Sequence, residues 1–400
     1  LTVGYSCQSE KSIAKYGGKA KNQGSMRILM ISKACLVGTY QTKLEALARG
    51  ADVELAVLVP PTWDDPAGQI VLERAHTEGY QLWVDPLRHN GRYHTYTFPT
   101  LRQRLQEFQP DILHIDEEPY NLATAHALWW GRRYGCKTLF FTWQNLYRNY
   151  PPPFRWLEKW VLDTADYGVM GNRAAVDVFR RKGFDGRYQV IPQFGVAAGL
   201  FAPPAEPRSA DHLHIGFAGR FVSEKGVDLL LQAVACLPRE QGWTLHLAGK
   251  GPEEAGLRQM TKSLQLEDRV IWHGSLPSGE MPRFLQMIDV LVLPSRTRPN
   301  WAEQFGRILV EAMACETVVV GSTCGEIPHV IGDAGLVFSE DDVTGLLHHL
   351  QTLLQDPDRR HVLGRKGGDR FLNRYTQQQI AEQTVEVYRE LLADGHFTKT

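Results

Sequence analysis

Glu303 and Glu311 bracket the start of a helical pattern, Glu303-Gln304-Phe305-Gly306-Arg307-Ile308-Leu309-Val310-Glu311-Ala312-Met313-Ala314. Ahead of it stands the apolar run Val290–Leu293, closed by Pro294-Ser295, and a loop with Arg296, Arg298 and Pro299. A buried strand therefore empties through a loop into a helix. The start of a helix offers an anion free N–H groups and the positive end of the macrodipole. Carboxylates beside such a site suit the hydroxyls of a phosphorylated ligand better than the phosphate itself, which points to a nucleotide sugar. Two acids at this spacing are common by chance, so the rest of the argument must come from other loops.

Three loops contribute. After Leu213–Phe217 comes Gly219-Arg220-Phe221-Val222-Ser223-Glu224-Lys225-Gly226, leading into a helix. Arg220 can hold a diphosphate bidentately and Lys225 acts as a point charge; a plain solvated basic loop is the competing reading. After Trp243–Leu247 comes Gly249-Lys250-Gly251-Pro252-Glu253. Its glycines leave room for a base or ribose, or simply make a turn before a helix that starts at proline. After Val270–Trp272 comes His273-Gly274-Ser275-Leu276, whose backbone can read a base edge while the imidazole serves the turn. All three loops follow strands, the place where open α/β sheets bind ligands.

The elements that hold these loops alternate regularly. The spacing predicts strands over Arg27–Ser32, Val53–Val59, Gln81–Val84, Asp111–Ile115, Lys137–Trp143, Tyr167–Met170 and Gln189–Ile191, with helices between. A Pro-rich stretch, Ala202–Pro207, reads as a linker, and a second series runs from Leu213 to Phe338. This is an α/β pattern of two doubly wound parallel-sheet (Rossmann-like) domains facing a cleft. We expect the first domain over 26–200, a linker over 201–212 and the second domain over 213–375. A last helix within 376–400 is expected to pack back on the first domain.

A chain of 400 residues also favours two cores over one. Residues 1–25 are polar and lysine-bearing, without the apolar stretch of a signal peptide, and are expected to form a disordered extension ahead of a strand starting at Met26. Net charge is −1, too little for a nucleic-acid surface. No apolar run reaches membrane-spanning length, and the six cysteines lack metal or disulfide spacing, so a reducing cytoplasm is expected.

Together, Gly219-Arg220 with Lys225-Gly226, Gly249-Lys250-Gly251-Pro252-Glu253, Pro294-Ser295, Phe305-Gly306, Glu311-Ala312-Met313-Ala314 and Gly325-Glu326-Ile327-Pro328 resemble the family-4 retaining glycosyltransferases. The resemblance covers residues 26 to about 390 in layout and is specific over 213–340. It implies the GT-B fold and transfer of a sugar from a nucleotide-diphosphate donor to a hydroxyl acceptor. Arg220 and Lys225 would neutralise the leaving diphosphate, Glu311 would hold the ribose and Glu303 the donor sugar. The N–H groups of Gly306, Arg307 and Ile308, beside Phe305, would cap phosphate or sugar oxygens, and Gly274 to Leu276 would border the base. The leaving phosphate then serves as base, so neither metal nor cofactor is required. Asp356-Pro357-Asp358 lies in a turn between helices and is not read as a metal site. A nucleotide-sugar epimerase, or another sugar-phosphate enzyme on the same fold, is the alternative.

The acceptor side is expected in the first domain, at Gly38, His94, Glu117, Glu118, Gln144 and Asn145. The chain departs from the family at Ala34–Gly38, where relatives often carry Gly-Gly, and at Trp143-Gln144-Asn145, where many carry His. It also has Glu316 where a helix-ending glycine is usual, which suggests a different helix exit. Tyr150–Trp160 mixes aromatic and basic residues, a composition suited to peripheral contact with a membrane, although Trp156 and Trp160 at i, i+4 also suit a core. Oligomeric state is not legible.

Overall fold

The computed structural model describes residues 24–66, 68–206 and 208–393; residues 1–23, most of the expected N-terminal extension, lie outside them. The first half builds β1 (Met26–Ile31), α1 (Thr42–Ala48), β2 (Val53–Val59), β3 (Thr62–Asp65), β4 (Gly68–Val71), β5 (Gln81–Val84) and α2 (Leu101–Phe108). It continues through β6 (Ile112–Ile115), α3 (Leu122–Arg133), β7 (Lys137–Thr142), α4 (Phe154–Thr164), β8 (Tyr167–Met170), α5 (Arg173–Arg181) and β9 (Arg187–Val190). Seven of these strands form one parallel sheet in the order β5-β2-β1-β6-β7-β8-β9. β1 and β6 are buried along their whole length, as parallel strands covered by helices on both faces must be. The antiparallel β3–β4 hairpin, which the buried Trp63 anchors, was not among the expected elements.

The second half builds β10 (Leu213–Ala218), α6 (Val227–Ala235), β11 (Trp243–Ala248), α7 (Glu254–Ser263), β12 (Val270–Gly274), α8 (Met281–Met287) and β13 (Val290–Leu293). Then follow α9 (Arg307–Ala314), β14 (Val318–Ser322), α10 (Ile327–Ile331), β15 (Gly335–Phe338), α11 (Val343–Gln355), α12 (Pro357–Arg374) and α13 (Gln377–Ala393). Its sheet is parallel, in the order β12-β11-β10-β13-β14-β15. Strand order reverses beside β1 in the first sheet and beside β10 in the second. The crevices beyond those strand ends are where a doubly wound sheet receives its ligand.

Two stretches of chain pass between the sheets side by side. Phe194 belongs to the core under the first sheet and Val196 to that of the second, so the crossing falls at Gly195. The chain returns between Tyr375, in the second core, and Ile380, in the first. Val196 N donates to Tyr375 O at 2.9 Å. A Cβ on Gly195 would stand 2.6 Å from Gln377 N, so only glycine lets the two crossings touch. The Pro-rich stretch instead lies along the second layer, where Phe201 is buried in the core and Ala202 O accepts from Gln286 Nε2. α13 packs under the first sheet through Ile380, Val385 and Tyr388, whose hydroxyl meets His114 Nδ1 at 2.6 Å.

One helix end corrects the sequence reading. Glu316 takes the left-handed conformation, φ 52°, that a glycine would take, so α9 leaves by the usual route after all. Room for it comes from α12, where a Cβ on Gly364 would sit 2.4 Å from Glu316 O.

Candidate active site

The ends of β10 and β13 bring the expected donor residues to the mouth of the cleft. Lys225 ends a single helical turn ahead of α6, and its Nζ lies 2.5 Å from Glu303 Oε2. Ser295 Oγ, at the end of β13, donates to the same oxygen at 3.3 Å. The Trp301 ring stacks under the Lys225 ammonium at 4.9 Å. Arg220 and Lys250, on the loops after β10 and β11, are exposed and make no ion pair among the described residues.

Glu303 and Glu311 do lie at one helix start. Gly306 precedes α9, and no side chain caps that end, so the first N–H groups of the helix face the cleft. Glu311, one turn in, accepts from Arg307 Nε at 2.8 Å. Burial raises its carboxyl above the usual range, with Arg307 opposing. The Arg307 guanidinium also lies 5.4 Å from the Tyr40 ring of the first domain. Each acid of the expected donor site is thus already matched with a cation.

The glycines of this site allow close backbone packing. A Cβ on Gly249 would fall 1.8 Å from Gly219 O, and one on Gly251 would fall 2.2 Å from Phe221 O. Their lack of side chain lets the loops after β10 and β11 pack on each other. His273 also turns away: its Nε2 meets His246 Nδ1 at 3.0 Å, and its ring packs edge-on against Phe284. Only the backbone of Gly274, Ser275 and Leu276 remains at the rim. Asp356 serves as the cap of α12, accepting from Arg359 N at 2.9 Å.

Several expected acceptor residues prove to be structural. Glu117 is buried, accepts from Lys33 N at 2.8 Å and is bonded to Tyr96 Oη. Gly38 N donates to Glu73 Oε2 at 2.7 Å, inside the first domain. Gln144 is buried, donating to Leu146 O and accepting from Lys182 Nζ at 3.1 Å. Burial pushes the Glu118 carboxyl up to about 7, while its oxygens take Thr142 Oγ1 at 2.6 Å and Trp143 N at 2.8 Å. Neither Glu117 nor Glu118 caps α3. His94 is exposed and lies among the rings of Tyr120, Tyr150 and Phe154.

Asn145 reaches the cleft in an unexpected way. Its Nδ2 crosses to the second domain and donates to Ala302 O at 3.1 Å and Glu303 O at 3.2 Å. Gln304 Nε2 returns the contact by donating to Trp143 O at 3.1 Å. Between the domains lies a cavity of about 240 Å³, lined by Tyr40, Trp143, Gln193 and Phe194 on one side and by Glu303 to Arg307 on the other. Trp143 Nε1 donates to Gln193 Oε1 at 2.9 Å, and its ring faces Phe305 at 5.8 Å. Sequence reading missed Tyr40, Gln193 and Phe194, which carry no charged group and stand in no motif that marks a site. Trp143 carried one usable signal, its place directly after Thr142 at the end of β7.

Comparison with known proteins agrees with this geometry. Residues 203–370 match the family of glycosyl transferases group 1, and residues 37–193 match the glycosyl transferase 4-like domain. The chain is 32% identical over 176 residues to the N-acetyl-alpha-D-glucosaminyl L-malate synthase of Bacillus anthracis, covering 44% of each protein. It is 31% identical over 270 residues to the D-inositol 3-phosphate glycosyltransferase of Kineococcus radiotolerans, covering 59% of this chain and 60% of that one. The matched part thus spans about half the length of these relatives. Among solved structures, sucrose-phosphate synthase from Thermosynechococcus elongatus superposes with a TM-score of 0.66 at 21% identity, over 92% of this chain and 100% of the other. Anabaena HepE in complex with UDP gives 0.68 at 18% identity, over 91% and 100%. These likenesses establish the fold, two parallel-sheet domains of the GT-B type. The second half of the chain thus belongs to the glycosyl transferases group 1 family, and the first half is a glycosyl transferase 4-like domain.

Proposed function

We propose that this protein transfers a sugar from a nucleotide-diphosphate donor to a hydroxyl acceptor, with retention of configuration. The observation that carries the reading is the pairing of Lys225 with Glu303 next to the uncapped start of α9. A diphosphate arriving there meets Lys225, Arg220 and Lys250 together with free backbone N–H groups. Its charge draws Lys225 away from Glu303 and frees that carboxylate for sugar hydroxyls. The ribose hydroxyls compete in the same way with Arg307 for Glu311.

As the anomeric C–O bond breaks, negative charge collects on the departing phosphate. Fixed cations and helix N–H groups stabilise it without reorganisation. The same phosphate oxygen takes the proton of the acceptor hydroxyl as that hydroxyl bonds to the anomeric carbon from the same face. The scheme asks for no protein base and no metal ion. The acceptor enters the cavity beside Tyr40, Trp143, Gln193 and Phe194.

UDP-glucose is the first donor to test, since HepE has been solved with UDP and with UDP-glucose. A panel of labelled sugar nucleotides with and without acceptors separates transfer from epimerisation by product. Arg220→Ala is expected to abolish transfer with the fold intact; wild-type rates in that variant would overturn the assignment.

Peripheral attachment to an anionic membrane also belongs to this proposal. Trp156 is 64% exposed and Trp129 49%, while Trp160, at i+4 from Trp156, packs against the core of the first domain. Arg155 and Lys159 are exposed beside Trp156, and Arg133 lies over the Trp129 ring. Interfacial tryptophans flanked by cations suit a lipid headgroup layer. No helix among the described residues is long and apolar enough to cross a membrane.

A further inference from the structure

Glu326 has no part in the transfer scheme, yet its carboxylate leaves its own domain. It accepts from Arg173 N, at the start of α5 in the facing domain, at 3.0 Å, with Ala174 N–H also turned toward it. Asn172 Oδ1 takes the next free amide, Ala175 N, at 2.8 Å, so α5 is capped jointly from both domains. Glu326 is only 6% exposed.

The backbone of Glu326 is tied just as firmly to the donor site. Glu326 N donates to Glu303 O at 3.0 Å. Gly325 holds the turn that makes this possible: its φ is +56°, and a Cβ there would lie 2.1 Å from Glu303 O. That same carbonyl is the one Asn145 reaches from the first domain. Glu326 thus links the start of α5 directly to the main chain of the residue expected to hold the donor sugar.

We propose that Glu326 is a positioning residue that couples closure of the cleft to placement of Glu303. The coupling rests on the transfer reading only for the role of Glu303. Closure itself is a property of the empty protein.

The charged groups around the carboxylate are Arg173 on α5, His329 on α10, and Arg370, Arg374 and Tyr375 at the end of α12. Burial dominates over these and over the amide bonds, raising the Glu326 carboxyl to about 7. With the domains apart the group faces water and titrates in the ordinary range, about 4.3. Closing then takes up a proton between these two values, so closure tightens as pH falls from about 8 toward about 5.5. A neutral amide keeps the acceptor oxygen and carries no charge to bury. A methyl group keeps neither.

Small-angle scattering of the full chain without ligand, at about pH 8 and about pH 5.5, tests this for wild type, Glu326→Gln and Glu326→Ala. The expected result is a smaller radius of gyration for wild type at the lower pH. Glu326→Gln should stay compact at both values, and Glu326→Ala should be expanded at both with unchanged circular dichroism. With any sugar nucleotide that wild type transfers, Glu326→Ala should also lower kcat about tenfold, and Glu326→Gln should restore it. Superposable curves for Glu326→Ala and wild type at both pH values would overturn the proposal, as would a pH response in Glu326→Gln equal to wild type. A wild type that transfers no sugar defeats the functional reading and leaves the scattering result to decide closure.

Discussion

Lys225 Nζ and Glu303 Oε2 stand 2.5 Å apart at the mouth of the cleft, with side chains 20% and 12% exposed. The cation expected to meet the diphosphate and the acid expected to meet the sugar therefore satisfy each other before any ligand arrives. Each half of such a pair gives the other's partly buried head group a partner. A donor that brings its own anion and hydroxyls can replace both halves at once. A free phosphate offers only the anion, and leaves Glu303 half-buried without a partner.

Removing one half should therefore hurt transfer more than folding. Lys225→Ala takes away leaving-group charge stabilisation and strands Glu303, so kcat/KM should fall by about 10²–10³. Glu303→Gln should lose less, because the amide still bonds to sugar hydroxyls and to Ser295. Initial rates at varied donor concentration measure both; equal losses in the two variants would contradict separate roles.

Glu311 and Arg307 make the second internal pair, at 2.8 Å across one helical turn. Because the Arg307 side chain is 35% exposed, the pair adds less than about 1 kcal/mol to stability. Glu311→Ala should leave the melting temperature nearly unchanged. It should weaken binding of UDP, or whichever nucleoside diphosphate the protein takes, about tenfold or more through loss of a charged hydrogen bond to ribose. Calorimetric titration of wild type and variant reads this directly, and equal affinities would remove Glu311 from the ribose site.

The sequence revealed the strands because their residues left little choice. Runs such as Ile28-Leu29-Met30-Ile31 and Val290-Leu291-Val292-Leu293 bury both faces and belong only in covered parallel sheets. The Thr62–Val71 hairpin was missed because its strands are short and mostly solvent-facing, with one buried tryptophan. The donor loops were legible because cations, glycines and acids cluster after strand ends. Direction was not: nothing local tells that Gln144 turns inward while its neighbour Asn145 reaches across the cleft. Glu326 was seen only as part of a motif, since its partner lies 153 residues away and becomes visible only once two domains are assembled.

A row of imidazoles across the second sheet makes the protein acid-labile. His214 Nδ1 meets His246 Nε2 at 3.0 Å, and His246 Nδ1 meets His273 Nε2 at 3.0 Å. In such a row each contact sets one donating nitrogen against one accepting nitrogen, so two facing nitrogens cannot both carry protons. Burial lowers all three, His246 to about 4, with neighbouring imidazoles adding to the effect. The unfolded chain therefore binds protons first as pH falls below about 6.5, and stability is lost progressively down to about pH 4. For His246, 4% exposed, the loss amounts to about 3 kcal/mol. Urea denaturation at stepped pH should show it, and His246→Gln should flatten the slope between about pH 6.5 and pH 5. An unchanged slope in that variant would show that His246 takes up its proton equally in the folded and unfolded states, and would overturn the account.

The tryptophan surface on α3 and α4 calls for a test that leaves the cleft untouched. Trp129 and Trp156 are exposed on α3 and α4 and line no part of the cavity at Trp143, so removing them should not alter it. Wild-type protein should co-sediment with vesicles containing phosphatidylserine and much less with vesicles of phosphatidylcholine alone, because Arg133, Arg155 and Lys159 add attraction only to an anionic surface. That binding should weaken as salt rises, since the charges are exposed. The double variant Trp129→Ala, Trp156→Ala should lose most of the sedimented fraction and keep its rate on a water-soluble acceptor. Full binding by the double variant would mean that the exposed rings serve some other contact. Loss of the soluble-acceptor rate would mean that they support the fold of the first domain.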